Sequence, residues 1–198
     1  MAYMESSSLS HADLIAAEFN KLADDLHAYA NVMEAGIATG TPMPIEAIGS
    51  LLNATINDTK LSAGMFFYTA DNSIYAKNPN SSDPRYTQAG DLAMYVNMHG
   101  RFERLEDDYK TKDYFINGLS KPTITEPYED HIEGEVMTMA SITFPIKYKG
   151  KTIGIIGADL DLNNFFINRL KKVKLYNTDT SFLTSHKGIM VANPNPAN

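Results

Sequence analysis

Ile15, Phe19, Leu22, Leu26, Tyr29 and Met33 recur at spacings of four and three, the period of one face of an α-helix. Ser10 with Asp13 supplies a start signal. The pattern predicts a helix of about 24 residues, roughly 36 Å long at 1.5 Å per residue. Such a stripe packs against the chain's own core, and its near-heptad spacing also suits a stalk that pairs with a twin helix. The segment GIATGTPMP ends it, and Ile45, Ile48, Leu52 and Ile56 mark a second, shorter helix.

From Gly64 the period changes. Met65-Phe66-Phe67-Tyr68 and Ile74-Tyr75-Ala76 predict two strands of a hairpin, joined by Ala70-Asp71-Asn72-Ser73. The loop NPNSSDP follows, and residues 86–106 are expected to be mostly irregular or weakly helical. Asp113 begins a short helix through Leu119, stopped by Pro122. The strongest alternation lies between Val136 and Ile146: Val136, Ala140, Ile142, Phe144 and Ile146 on one face, Met137, Met139, Ser141 and Thr143 on the other. Tyr148-Lys149-Gly150-Lys151 turns the chain into a strand from Thr152 to Leu160. Helices followed by long antiparallel strands give an α+β class with one central antiparallel sheet.

A repeat bears on the domain organisation. FYTADNSIYAKNPN at 67–80 aligns without a gap on FLTSHKGIMVANPN at 182–195. Phe67/Phe182, Thr69/Thr184, Ile74/Ile189, Asn78/Asn193, Pro79/Pro194 and Asn80/Asn195 are identical. The expectation is a second module of the same type opening near Tyr176. The chain then divides into a cloning remnant or disordered start at 1–9, helical stalk and second helix at 10–60, a complete module at 61–175, and the truncated start of another at 176–198.

Composition narrows the classes of function. A net charge of −7 argues against nucleic acid. The one basic cluster, Arg169 to Lys174, reads as the last turn of a helix. Absence of cysteine removes disulfides and thiolate chemistry. No apolar run reaches the roughly 20 residues of a membrane span, and MAYMESSS lacks the features of a signal peptide. A membrane-anchored parent would carry its membrane helices outside these residues. No nucleophile elbow, phosphate-binding glycine loop or His-Glu-x-x-His is present, and the histidines His11, His27, His99, His131 and His186 lack metal-ligand spacing. Neither enzyme, cofactor nor metal is therefore expected.

Lys112 and Tyr114 in DYKTKDYF, Pro127, Tyr128 and Asp130 in TEPYEDHIEGE, and Asp159 after TIGIIGA stand at the edges of these elements. With the long helix, the strand pair and the repeat, they resemble the double Cache domain, the extracytoplasmic sensor of bacterial chemoreceptors and sensor kinases. The family's pattern of Arg-x-Trp-Tyr, Pro-Tyr-x-Asp and Gly-x-Asp reads here Lys112-Asp113-Tyr114-Phe115, Pro127-Tyr128-Glu129-Asp130 and Gly157-Ala158-Asp159. Lysine in place of arginine replaces a two-pronged grip on a carboxylate with one compact charge. The resemblance covers about residues 10–198. It implies PAS-like modules beside the long helix, a periplasmic setting, and a ligand in the first module.

Each position also has an ordinary structural role. Lys112 is either the carboxylate anchor or a surface lysine, and Tyr114 either an aromatic wall or core packing. Pro127 keeps Glu126 extended, so alternation puts Tyr128 and Asp130 on one side, as ligand groups or as a polar strand edge. Asp159 shares a strand face with Ile153, Ile155 and Gly157, where a lone carboxylate is expensive to bury. Asp161 is better placed to cap the helix expected near Leu162, which leaves Asp159 for a ligand ammonium. Phe67 and Tyr95, with Met98, are expected at the ligand's side-chain end. Asp130 and Asp159 as a glycosidase pair lack a tryptophan platform. The expected function is the ligand-binding region of a chemoreceptor, taking an amino acid-like zwitterion or amine and dimerising through the first helix. The alternative is the input domain of a histidine kinase or diguanylate cyclase that binds a small organic acid.

Overall fold

The computed structural model describes residues 2–132, 134–162, 183–185 and 187–192, with side chains described at 13–132, 134–162, 183–185 and 187–189. Helix α1 (Ala2–Ala38) runs eight residues further toward the amino terminus than the Ser10 start. Residues 2–9 contain neither proline nor glycine, so nothing in them stops a helix. Gly40, at φ +78°, ends the following turn, and Thr39 and Thr41 cap the last carbonyls of α1. Helix α2 (Ile45–Asp58) starts directly after Pro44.

A seven-stranded antiparallel sheet follows. Its strands are β1 (Ser62–Thr69), β2 (Ala93–Asn97), β3 (Phe102–Arg104), β4 (Thr123–Ile124), β5 (Tyr128–Ile132), β6 (Glu135–Tyr148) and β7 (Lys151–Asp161). The order is β3-β2-β1-β7-β6-β4, with β5 also paired to β6. Helix α3 (Asp113–Gly118) is preceded by a 3-10 turn at Asp107–Thr111. A separate pair, β8 (Leu183–Thr184) and β9 (Met190–Ala192), lies beyond.

Two faces of the sheet carry two cores. Leu22, Leu26, Met33 and Ile37 of α1 and Ile48, Leu52 and Ile56 of α2 pack on Met65, Phe67, Met94, Val96, Ile142, Ile156 and Leu160. The opposite face gathers Phe66, Tyr68, Tyr95, Tyr109, Phe115, Met139 and Ile155. The apolar stripe of α1 is thus spent on the chain's own core from Leu22 to Met33. Exposed large apolar side chains on the described part of that helix are Leu14 and Val32.

Three expectations need correction. Residues 86–106 hold β2 and β3, because β2 is buried on both faces and shows no polar alternation to read. Ile74-Tyr75-Ala76 is not a strand. Both edges of β1 are taken by β2 and β7, and Thr69 and Ala70 donate to Leu92 and Ile153, so no edge is left for a hairpin partner. Asp71 instead accepts from Ser73, and Tyr75 turns inward to donate to the Met43 carbonyl. The repeat's second copy does pair as a hairpin, Leu183 to Ala192. Finally, Ile153 leaves the Asp159 face: the ladder slips between Ile146 and Lys147, and Ile153 joins the helix-side core. The helix expected after Leu162, and Asp161's capping of it, lie outside the described residues.

Candidate ligand-binding site

On the sheet face away from the long helices, a cavity of about 210 Å³ lies between the sheet, β5, the 3-10 turn and the start of α3. Strand alternation decides which side chains reach it. Tyr68 of β1, Tyr95 of β2, Met139 of β6 and Asp159 of β7 all line it. Tyr128 and Asp130 join from β5, whose register sets them opposite Met139 and Met137 on that same face. Tyr109, Lys112 and Tyr114 close it from the turn and α3. Six of the seven residues expected from the sequence are therefore around one cavity. Phe67 is not, and this is a correction. It is one residue out of phase with Phe66 and Tyr68, lies fully buried in the helix-side core, and meets the Tyr75 ring edge-on at 5.6 Å. Met98, half-exposed beyond the end of β2, does not line the cavity either.

Asp159 is a buried carboxylate on the cavity wall. Its Oδ1 accepts from the Ser141 hydroxyl at 2.6 Å and from Tyr128 at 3.2 Å, and Tyr95 also bonds to it. The Tyr128 and Ser141 oxygens are also 2.6 Å apart, so the single Tyr128 hydrogen is shared between Asp159 and the Ser141 oxygen. Burial pushes the Asp159 carboxyl up to about 6, against the pull of these three hydroxyls, and the nearby charge of Asp130 adds to the rise. The same burial holds the phenols of Tyr68, Tyr95, Tyr114 and Tyr128 well above their ordinary range. These phenols are neutral donors at any ordinary pH. Asp159 is not short of hydrogen bonds, contrary to the expectation from sequence, but among the described residues no cation is one of its partners.

Tyr95 reaches Asp159 across β1, and only a glycine permits this. Gly64 is the cross-strand neighbour of Asp159, and a Cβ on it would overlap the Tyr95 hydroxyl. Similarly, Gly157 lies under the Phe66 ring, which stacks on Tyr68 at 4.6 Å. The sequence put Gly157 on the Asp159 face but did not single out Tyr68, Ser141, Gly64 or Glu103 for the site. Ser141 stood in the right alternation set, opposite the helix-side face of β6, and its register partner is Asp159. Nothing short of the register could have found it.

Lys112 sits at the rim, about half-exposed, with its ammonium 2.8 Å from Asp108. That carboxylate raises the lysine's pKa. A deeper anchor holds the turn itself: buried Asp91 binds Lys110 at 2.7 Å and Lys77 at 3.2 Å and accepts from Asn72. Among the described residues, no three His, Asp or Glu side chains converge to hold a metal, and no helix is long and apolar enough to cross a membrane.

Comparison with known proteins fits this geometry. The family model described as methyl-accepting chemotaxis protein-like, first PDC sensor domain, matches residues 48–166, the segment from α2 through β7 and just past it. The methyl-accepting chemotaxis protein TlpQ of Pseudomonas aeruginosa is 39% identical over 44 residues, a stretch that is 22% of this chain and 6% of that receptor's length. The periplasmic sensory domain of the Campylobacter jejuni chemoreceptor Tlp1 superposes with a TM-score of 0.80 at 18% identity, over 96% of this chain and 72% of that one. The ligand-binding domain of the Pseudomonas fluorescens chemoreceptor CtaA, solved with L-alanine, gives 0.59 at 21% identity, over 99% and 72%. At these identities the structural likeness is one of fold.

Proposed function

The chain belongs to the methyl-accepting chemotaxis protein-like family of first PDC sensor domains, and from that premise we propose that it is the extracytoplasmic ligand-sensing region of a membrane-anchored chemoreceptor. Its ligand is a small molecule headed by an amino group, either an amino acid or a related amine. The observation that carries the reading is the buried Asp159 carboxylate, held by three hydroxyls and facing a cavity of metabolite size. A carboxylate that costs stability when ionised, and meets no cation among the described residues, suits a ligand ammonium. Tyr95, Tyr114 and Tyr128 offer ring faces and hydroxyls around the bound group, and Asp130 adds a second negative charge at the opening. Lys112 would meet a ligand carboxylate by giving up Asp108. The CtaA domain solved with L-alanine is a relative in fold with an amino acid bound, which supports the class of ligand.

Sensing here is binding, not catalysis, in keeping with the family. We place the complete module at 61–175 and read β8–β9 as the first hairpin of a second one from about Tyr176. Dimerisation through α1 would use its outward side at Leu14 and Val32, since Leu22 to Met33 face the core.

A thermal-shift screen of amino acids, amines and organic acids tests the reading. A ligand at one hundred times its Kd adds roughly 2.7 kcal/mol of stability. Compounds with an amino group are expected to raise the melting point, and a response confined to acids lacking one would refute the assignment.

A further inference from the structure

We infer that the ligand is a net-cationic amine and that a ligand carboxylate is not part of what this cavity recognises; this rests on the reading just given and narrows it. The charges around the cavity are lopsided. Asp159, Asp130, Glu103, Glu106 and Asp108 all border it. Glu103 is the register partner of Tyr95, shares its side of the sheet, and accepts from Asn97 at 2.6 Å.

The cations that border the cavity point elsewhere or are engaged. Arg104 pairs across the ladder with Met94, a helix-side core residue, so its side chain leaves on the far side of the sheet. There its guanidinium donates to the Ser81 and Asp83 carbonyls at 2.7 and 3.2 Å. His131 pairs with Val136, one residue out of phase with Asp130 and Tyr128, and so turns from the cavity. Lys112 remains, at the rim, bound to Asp108.

A zwitterion adds no net charge and leaves this excess of carboxylates standing. Its own carboxylate would have to displace Asp108 from Lys112 and then lie beside it. A cation has no such difficulty, because every bordering carboxylate attracts it, and the lining includes five tyrosines, Tyr68, Tyr95, Tyr109, Tyr114 and Tyr128, whose rings are electron-rich. The cavity is also small. Its 210 Å³ lies below the roughly 300–1,000 Å³ of pockets for drug-sized ligands, which suits a short amine.

Five four-carbon probes of equal length class separate charge from size: 1,4-diaminobutane, n-butylamine, 4-aminobutanoate, L-2-aminobutanoate and succinate. On the protein as it stands, 1,4-diaminobutane is expected to raise the melting temperature by about 5–11 °C at a hundredfold excess over its Kd. n-Butylamine should follow, and the three carboxylates should shift it little at the same concentration. A shift from either amino acid that equals or exceeds the diamine's overturns the inference while leaving the amine-headed site intact. A shift from succinate alone overturns both, and no shift from either amine overturns the inference. Lys112→Ala gives an independent readout. Removing a like charge from the rim should tighten 1,4-diaminobutane binding by about two- to fivefold, whereas a tenfold loss would mean that Lys112 holds the ligand.

Discussion

Replacing Asp159 by asparagine should make the empty protein more stable and the sensor worse. The folded-state carboxyl stands near 6, raised first by burial, against an ordinary value of 3.8. The folded protein therefore holds this proton more tightly than the unfolded chain does. Stability from this group is fully present below pH 3.8 and is lost as pH rises to about 6, after which the loss is constant. Roughly two pH units at 1.36 kcal/mol each make ionised Asp159 cost about 3 kcal/mol at pH 7. Asparagine keeps the shape and an acceptor for Ser141 and Tyr128 but never ionises. Asp159→Asn should then melt about 6–12 °C above the parent at pH 7, with the difference shrinking toward zero by pH 4. Other titrating carboxylates, Asp71 and Asp91 among them, cancel in that difference. Calorimetric titration completes the test: loss of the buried charge should weaken a cationic ligand by about thirtyfold or more. In the parent, affinity should fall as pH drops below about 6, where proton and ligand compete for one carboxylate. An asparagine variant that is no more stable at pH 7, with a pH-independent difference from the parent, would refute the reasoning and return Asp159 to a purely structural role.

The other consequences can be checked on the same protein. Gly64→Ala drives a methyl into the Tyr95 hydroxyl; it should cost about 1–3 kcal/mol in urea denaturation and weaken ligand binding, and Tyr95→Phe should reproduce the binding defect without the steric cost. Phe67→Ala should lower stability by about 3–5 kcal/mol yet leave affinity unchanged in titration of the folded fraction, because that ring packs under the helices and not in the cavity. Because the chain has no cysteine, Val32→Cys puts a single thiol on the outward side of α1. Oxidation at high concentration is expected to yield a covalent dimer, and a chain that stays monomeric would refute pairing along that side.

Much of this was legible in one dimension. The spacing of Ile15 to Met33 marks a helix, and the alternation from Val136 to Ile146 marks β6 with the right faces. Lys149 and Gly150, both at positive φ, make the reversal between β6 and β7 where the turn was expected. The motif positions Lys112, Tyr114, Tyr128, Asp130 and Asp159 do meet around one cavity. What failed were inferences that depend on pairing. Phe66 and Phe67 are adjacent and alike, and only the phase of β1 between β2 and β7 says which ring faces the cavity side. The hairpin expected at Ile74–Ala76 did not form because its edge was already occupied by distant strands.

Local periodicity is written into the chain because a helix or strand repeats its own geometry every few residues. Register is not, since it is a relation between segments as far apart as Ser141 and Asp159 or Tyr95 and Gly64. The chemistry of the cavity belongs to that second kind of information. Residue identity supplied an aspartate, three hydroxyls and a lysine. The sheet decided that the hydroxyls converge on the aspartate in a place shielded from water, and that the lysine stays at the rim with a partner of its own.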